Sequence, residues 1–538
     1  MKNTMPKKMW FASALLAVGG LTIHSTAYAQ SATSDPAALE RLHQTTIAIL
    51  DALVEKGVMT REAVEALLAG AGSKAKAALL ESEKSALKVA KAPETVRVPY
   101  IPETVKREIK EQLRQEVLAQ AKTERWGEPG ATPDWLDRIQ VEGDVRIRYQ
   151  TDRYAATNLQ PSQYFDSEDV TNFAGLTNSN NDVGRFRTRA RLAVTARLNQ
   201  EVGAGIRLST GNQNGPVSTS STAGDPSNRF GAKIDRAYIR YSPFTFLTVD
   251  GGRITNPFFS TELIYAPDMG FDGLAVTVKP DISETVKPFL TAGAFPVRQN
   301  AIGSDKIMRG FQLGGQWQPN DKFGFRVAVG QYKISNAAGV GLTDRFDPEY
   351  NASEYESGFR QRGNTLFRIN QDPFVSAAPV YGLASDFNVR AVTVSAELAH
   401  FDPIRIMFTG ESVVNKAFNV EEVAKRVGFT GIDRRNKGYL YRVTVGQRRI
   451  VEPRDWQISF GARKLERDAT LDAFSDPDFV LGGTNVRGQV VSLSYGIARN
   501  TELGLRFLSG RTIDPPISNT TAEPLRIKTL QLDLSVRF

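Results

Sequence analysis

The chain of 538 residues contains no cysteine and only three histidines. The missing thiols exclude a disulfide framework, thiolate metal sites and cysteine nucleophiles. His24 lies in a segment expected to be removed, so histidine chemistry in the mature chain would rest on His43 and His400. Also missing, beyond residue 30, is any run of 18 consecutive apolar residues. The exported chain therefore has no segment able to cross a bilayer as a helix. It either stays in water or crosses as strands. No basic run with interleaved aromatics occurs, so nucleic acid is not an expected partner.

What is present begins with an address. Lys2, Lys7 and Lys8 precede the apolar run Met9 to Ile23, and Ala27-Tyr28-Ala29 offers small residues at a cleavage position. This pattern predicts a secretory signal over 1–29, with Gln30 as the mature start. A membrane anchor is the alternative, but the run is short of the roughly 20 residues a spanning helix needs.

Residues 30–137 read as helical. Asp35-Pro36 is an N-cap and first-turn pair, and Leu39, Leu42, Thr46, Ile49 and Leu53 follow at spacings of three and four. Pro93, Pro99 and Pro102 then impose an extended linker. Glu103 to Arg125 reads as a further helix, with Val105, Ile109, Leu113 and Val117 along one stripe. Such narrow stripes need a partner. A coiled-coil stalk, a contact to peptidoglycan and a small self-packed extension all satisfy them.

From Ile139 the period changes to two. Ile139, Val141, Val145, Ile147 and Tyr149 alternate with Gln140, Glu142, Asp144, Arg146 and Arg148. Phe186, Ala190, Leu192 and Val194 alternate with Arg185, Arg187, Arg189 and Arg191. One apolar and one polar face is the mark of a half-buried strand. Sixteen such segments are expected, near 139–149, 185–198, 201–209, 233–241, 245–253, 271–279, 287–295, 310–318, 322–332, 387–399, 403–413, 438–447, 455–464, 488–498, 501–509 and 526–538. Most match the roughly 9–11 residues a tilted strand needs to cross hydrocarbon. Their connections alternate long and short, as in barrels with turns at one rim and loops at the other. The predicted fold is an all-β transmembrane barrel of about 16 antiparallel strands over 138–538, preceded by a helical periplasmic extension.

The last strand, Leu530, Leu532, Leu534, Val536 and Phe538, ends on an aromatic residue. It resembles the signal by which the barrel assembly machinery recognises outer-membrane proteins, with Phe538 as its terminal element. The stretches Glu124-Arg-Trp-Gly-Glu-Pro-Gly130 and Pro133-Asp-Trp-Leu-Asp-Arg-Ile-Gln-Val-Glu-Gly-Asp-Val-Arg-Ile-Arg-Tyr149 resemble the barrel entry of the bacterial putative porin family. Asn256-Pro-Phe-Phe-Ser260 and Phe271-Asp-Gly-Leu-Ala275 resemble it too. The resemblance implies a channel in the outer membrane of a Gram-negative bacterium, among lipid and lipopolysaccharide. It names no substrate. It also makes a homotrimer a candidate, since many sixteen-stranded porins are trimers.

A barrel of this size encloses water, so passive diffusion of small hydrophilic solutes is the expected function. Arg146, Arg148, Arg185, Arg187, Arg189, Arg191, Arg236, Arg240, Arg326 and Arg442 are expected to line the pore. Arg390, Arg405, Arg463 and Arg506 can join them, opposed by Glu142, Asp144, Glu397, Glu411, Glu502 and Asp533. Arginine dominates, so a modest anion preference is expected. Loop 254–270, with Asn256, Phe258, Phe259 and Asp268, is the expected constriction; 333–386 is its rival. With about 25 residues per strand and connection, no room is expected for a large plug. An outer-membrane hydrolase would want a histidine beside a nucleophile, and no such motif occurs. No metal or cofactor is expected. A phosphate- or oxyanion-selective porin and an anchor that grips the cell wall through its helices are the alternatives.

Overall fold

The computed structural model describes residues 138–164, 178–211, 215–224, 227, 229–344, 346–370, 379–517 and 520–538, with Glu111, Leu113, Gln115, Val117 and Leu118 before them in helical conformation. The expected signal segment, and the rest of the helical region expected over 30–137, lie outside the described residues.

Sixteen long antiparallel strands form one sheet that closes on itself. They are β1 (Ile139–Tyr154), β2 (Val183–Arg197), β3 (Val202–Thr210), β4 (Ala232–Phe244), β5 (Leu247–Thr255), β6 (Gly270–Val278), β7 (Val286–Arg298) and β8 (Lys306–Asn320). They continue as β9 (Phe323–Ile334), β10 (Phe387–Phe401), β11 (Ile404–Asn415), β12 (Lys437–Gly446), β13 (Trp456–Leu465), β14 (Val486–Ala498), β15 (Thr501–Thr512) and β16 (Arg526–Arg537). Each pairs with its chain neighbours, and β1 pairs with β16, from Asp144 opposite Arg537 to Tyr154 opposite Ile527. Closure leaves no unpaired edge, which is what strands in hydrocarbon require.

All sixteen expected strands are present. Most run further toward the long-loop rim than the periodicity indicated. There the outward face is no longer apolar, and the alternation that marks a strand fades. The connection expected over 296–309 accordingly shrinks to 299–305, because β7 and β8 pair as far as Arg298 opposite Lys306. It is shorter than the opposite-rim turn 447–455, so loop length is less strictly segregated than expected.

Outward positions carry the apolar residues: Ile147, Ile239, Leu313, Val329, Val392, Phe460, Leu493, Leu505 and Leu532 are all exposed. In water such a surface would be costly; against lipid it is the required solvent contact. Arg390, expected on the polar face, shares its strand face with Val392 and points outward. Among the described residues no helix is long and apolar enough to cross a membrane.

The inside is not an open cylinder. A buried apolar cluster forms within it, from Phe258, Leu263, Ile264, Tyr265, Phe271, Phe295, Tyr332, Phe474, Phe479 and others. Three loops contribute: 256–269, 335–386 and 466–485. A smaller cluster joins Phe367, Ile369 and Ala384 to Phe418 and Val423. Val423 belongs to α1 (Val420–Val427), a short helix capped by the Asn419 side chain and ended by Gly428 at φ 74°.

Candidate functional site: the loops inside the barrel

Loop 256–269 leaves β5 and turns into the lumen. Asn256 starts the turn: its Oδ1 accepts from the Phe258 amide at 2.9 Å, and its Nδ2 donates to Ser260 Oγ at 2.8 Å. Phe258 is buried among aromatics, with Tyr332 at 4.9 Å and Phe295 at 6.0 Å between ring centroids. Phe259 is clamped to the wall by Gln312, which accepts from its amide at 2.8 Å and donates to its carbonyl at 2.9 Å. Its ring faces the Arg326 guanidinium at 4.1 Å, and Phe289 takes the same cation at 4.7 Å.

The middle of the loop reaches β10–β12. Thr261 donates through its hydroxyl to Glu411 Oε2 at 2.5 Å and through its amide to both carboxylate oxygens at 3.2 Å. Thr393 Oγ1 donates to the other oxygen at 2.8 Å. Glu262 pairs with Arg442. The loop then returns to β2, where Asp268 pairs with Arg191 at 2.8 Å and lies 3.7 Å from Arg189, while Thr219 donates to it at 2.7 Å. Burial alone would raise the Asp268 carboxyl, but Arg189, Arg191 and the Thr219 hydroxyl outweigh it and hold the group below its ordinary range. Loop 256–269 is thus bonded at both ends and in the middle to three parts of the wall. The core residues Leu263 and Ile264, 0 and 2 % exposed, fix it from below.

Loop 466–485, which the sequence reading treated as external, enters the same space. Phe474 lies 6.1 Å from Tyr265 and 6.4 Å from Phe271, and its carbonyl accepts from the Ala266 amide at 2.7 Å. Asp476 meets Arg463 at 3.1 Å. Asp478 is a hub: it meets Arg148 at 2.7 Å and Arg187 and Arg506 at 3.4 Å each. Burial pushes its carboxyl up, but the three guanidinium groups win and hold it far below the usual range. Val480 and Leu481 sit at φ 49° and 66°. A β-branched residue takes up that conformation only where its surroundings over-determine it.

Loop 335–386 locks onto loop 466–485. Tyr355 donates to Asp472. Gln361 Nε2 donates to the Asp472 and Ser475 carbonyls at 2.8 Å each. Asn364 Nδ2 reaches the Arg467 and Thr470 carbonyls, and Thr365 donates through amide and hydroxyl to Asp468. The backbones cross where Thr484 N–H donates to Arg362 O at 2.7 Å. Gly363 (φ 109°) and Gly483 (φ 91°) make the crossing possible, because a Cβ on either would collide with the other loop's backbone. The expectation that no room exists for a large plug overlooked the connections, which fill interior space together.

The expected pore-lining arginines all project inward, and most meet a carboxylate. Arg185 pairs with Asp152, and Arg189 and Arg191 share Asp144 at 2.9 and 2.6 Å. Arg240 meets Asp250 at 2.7 Å, and Arg148 meets Asp533 at 2.7 Å besides Asp478. Arg405 pairs with Glu397. Among the described residues, Arg146, Arg236 and Arg326 have no carboxylate within ion-pair reach. Arg146 donates to Ser220 Oγ at 2.7 Å, and Arg326 has its two rings. At the far rim, Phe538 exchanges backbone hydrogen bonds with Gly143. His400, which the sequence places in a short turn, lies near the end of β10 against Phe401.

Glu262, Thr261, Tyr355, Asp472, Asp476 and Asp478 were missed by sequence reasoning. A signal for the last three existed. Leu471, Ala473, Phe474, Phe479, Val480 and Leu481 are too apolar for a solvated loop, and three aspartates stand among them.

A closed barrel with an apolar outer band, an arginine-rich lining and loops folded into its interior defines an outer-membrane channel. The chain belongs to the Putative porin family, whose model matches residues 43–538. It acts in the outer membrane as a porin. Solved structures similar to it include the outer membrane channel DcaP of Acinetobacter baumannii, with 14% identity, 75% of this chain and 98% of that one covered, and a TM-score of 0.41. Pseudomonas putida OprB at high pH has 11% identity, covers 76% and 96%, and scores 0.44. Salmonella typhi OmpF in complex with daunomycin has 9% identity, covers 74% and 97%, and scores 0.38. No curated protein matches the sequence.

Proposed function

We propose that the porin passes small hydrophilic solutes by passive diffusion, with a modest preference for anions, through the space that loops 256–269, 335–386 and 466–485 leave beside the wall. The observation that carries the preference is the imbalance in the lining. The carboxylates of Asp144, Asp268 and Asp478 are each shared by two or more arginines, and among the described residues Arg146, Arg236 and Arg326 are left without one. The surplus is small, so the preference is modest rather than strict. Reversal potential in a KCl gradient across a planar bilayer tests it. Chloride should lead potassium by a few-fold, and a cation-selective channel would refute the proposal.

On the same reading residues 30–137 sit in the periplasm. A protease site inserted before residue 130 should be cut only after the outer membrane is permeabilised; cutting in intact cells would reverse that placement.

A further inference from the structure

The outward faces of β13–β16 and β1 change character abruptly. Val491, Leu493 and Tyr495 on β14, Leu503, Leu505 and Phe507 on β15, and Leu530, Leu532 and Leu534 on β16 form the apolar band. Continue on the same face toward the long-loop rim and every strand presents a cation. Lys464 stands directly opposite Arg487, Arg487 opposite Arg511, and Arg511 opposite Arg526. One step below, Lys528 is opposite Arg153. These six residues, with Tyr439 and Tyr441, line a shallow concavity of about 920 Å³.

Like charges directly opposite on a sheet repel, and here four stand in one row. Among the described residues, only Lys464 has an ion-pair partner, Glu466 at 2.7 Å. Arg153, Arg487, Arg511, Arg526 and Lys528 have none. The one carboxylate on the rim of the concavity, Asp182, accepts from the Tyr154 amide at 3.0 Å. Carboxylates of the strands and loops neutralise most of the arginines inside the barrel; among the described residues none does so for Arg153, Arg487, Arg511, Arg526 or Lys528. Facing away from the lumen, it also takes no part in solute passage.

We infer that this strip is a binding site for a phosphorylated glycolipid of the outer leaflet, of the lipopolysaccharide type. Its height is decisive: it lies immediately above the apolar band at the rim of the long loops, where headgroup phosphates meet the protein while acyl chains lie on the leucines below. Guanidinium groups at strand spacing suit phosphate oxygens, which accept two hydrogen bonds from one arginine. The two tyrosines of the lining suit the sugar and interfacial level. The inference rests on the outward orientation of the long loops, and not on the ion preference of the pore.

The test uses the full chain, folded in detergent and freed of lipid, with bisphosphorylated lipid A and its phosphatase-treated form as probes in mixed micelles. The wild-type protein should bind the phosphorylated form at least about tenfold more tightly. Equal binding of the two would overturn the inference, whatever any variant does. Replacing Arg487, Arg511 and Arg526 together by alanine should weaken binding of the phosphorylated form on the order of 100-fold. The unheated gel mobility of a closed barrel and the reversal potential should stay unchanged. Full binding by that variant, with the barrel intact, would also refute the site. Inorganic phosphate at the lipid's own phosphate concentration should not compete; if it displaced the lipid, the strip would belong to a free anion instead.

Discussion

Gly143 and Phe538 close the barrel by exchanging backbone hydrogen bonds: the Gly143 amide donates to the Phe538 carbonyl at 2.8 Å, and the Phe538 amide donates back at 3.0 Å. The Phe538 ring covers Gly143 so closely that a Cβ there would strike it. Phe538 as a whole residue is nevertheless 66 % exposed, so its ring contributes little to the finished wall.

This separates assembly from stability. Phe538→Ala keeps both backbone bonds, so the inserted barrel should melt within about 1 kcal/mol of wild type. The amount inserted in cells should fall severalfold if the terminal ring is read by the assembly machinery. Unheated gel mobility and membrane yield measure the two. Normal yield would deny the ring that role.

Glu411 accepts from two donors of Thr261, the amide shared between both carboxylate oxygens and the hydroxyl, and from the Thr393 hydroxyl, and so ties loop 256–269 to β11. Glu411→Ala should loosen the loop by about 2–4 kcal/mol, since the buried Thr261 and Thr393 donors lose their acceptor. Single-channel recordings should show larger mean conductance and more open-state noise. A quiet channel of unchanged conductance would mean that the loop does not set the passage.

Asp478 neutralises parts of Arg148, Arg187 and Arg506. Asp478→Asn leaves those cations buried together, which should cost about 3–5 kcal/mol in the docking of loop 466–485. Chloride selectivity should rise at the same time, because charge is unmasked at the wall. Reversal potentials of variant and wild type in one KCl gradient decide the matter; a shift toward potassium would contradict this account of the lining.

Asp468 is pushed by burial up to about 6, against the Thr365 hydrogen bonds and Arg467 that favour its ionised form. The folded value lies above the unfolded one, near 3.9. Docking of loop 335–386 on loop 466–485 therefore takes up a proton, is strongest below about pH 4, and weakens as pH rises through 6. The full difference is about 3 kcal/mol. Asp472 is raised likewise, whereas Asp268 and Asp478 are lowered and change only in stronger acid. Amide protection at Asn364 and Thr365, taken relative to the intrinsic base-catalysed exchange rate at each pH, should be greater at pH 5 than at pH 7.5, and Asp468→Asn should flatten that difference.

The wall was legible in the sequence because a barrel strand needs a single rule, apolar out and polar in, repeated sixteen times. Arg185, Arg187, Arg189 and Arg191 could be set on one face by parity alone. Their partners could not, because Asp268 and Asp478 are 77 and 291 residues away from Arg191 and Arg187 along the chain. The Asn256–Ser260 turn stood out by its resemblance to the porin family and its place between the fifth and sixth strands. Loop 466–485 did not, since a connection long enough to be external was assumed to be so; the apolar run Leu471–Leu481 argued otherwise. Arg390 was misplaced because β10 alternates apolar residues on both faces, with Val389 and Ala391 buried against the loops and Val392 toward lipid.

The crossing at Gly363 and Gly483 has a practical consequence for anyone redesigning the channel. Trimming one connection to widen the aperture would strip the cover from the greasy flank of another and leave its glycine hinge without a counterpart. Wider or narrower versions of this porin are best sought by exchanging the three connections as a matched set, with the cylinder left untouched as a chassis.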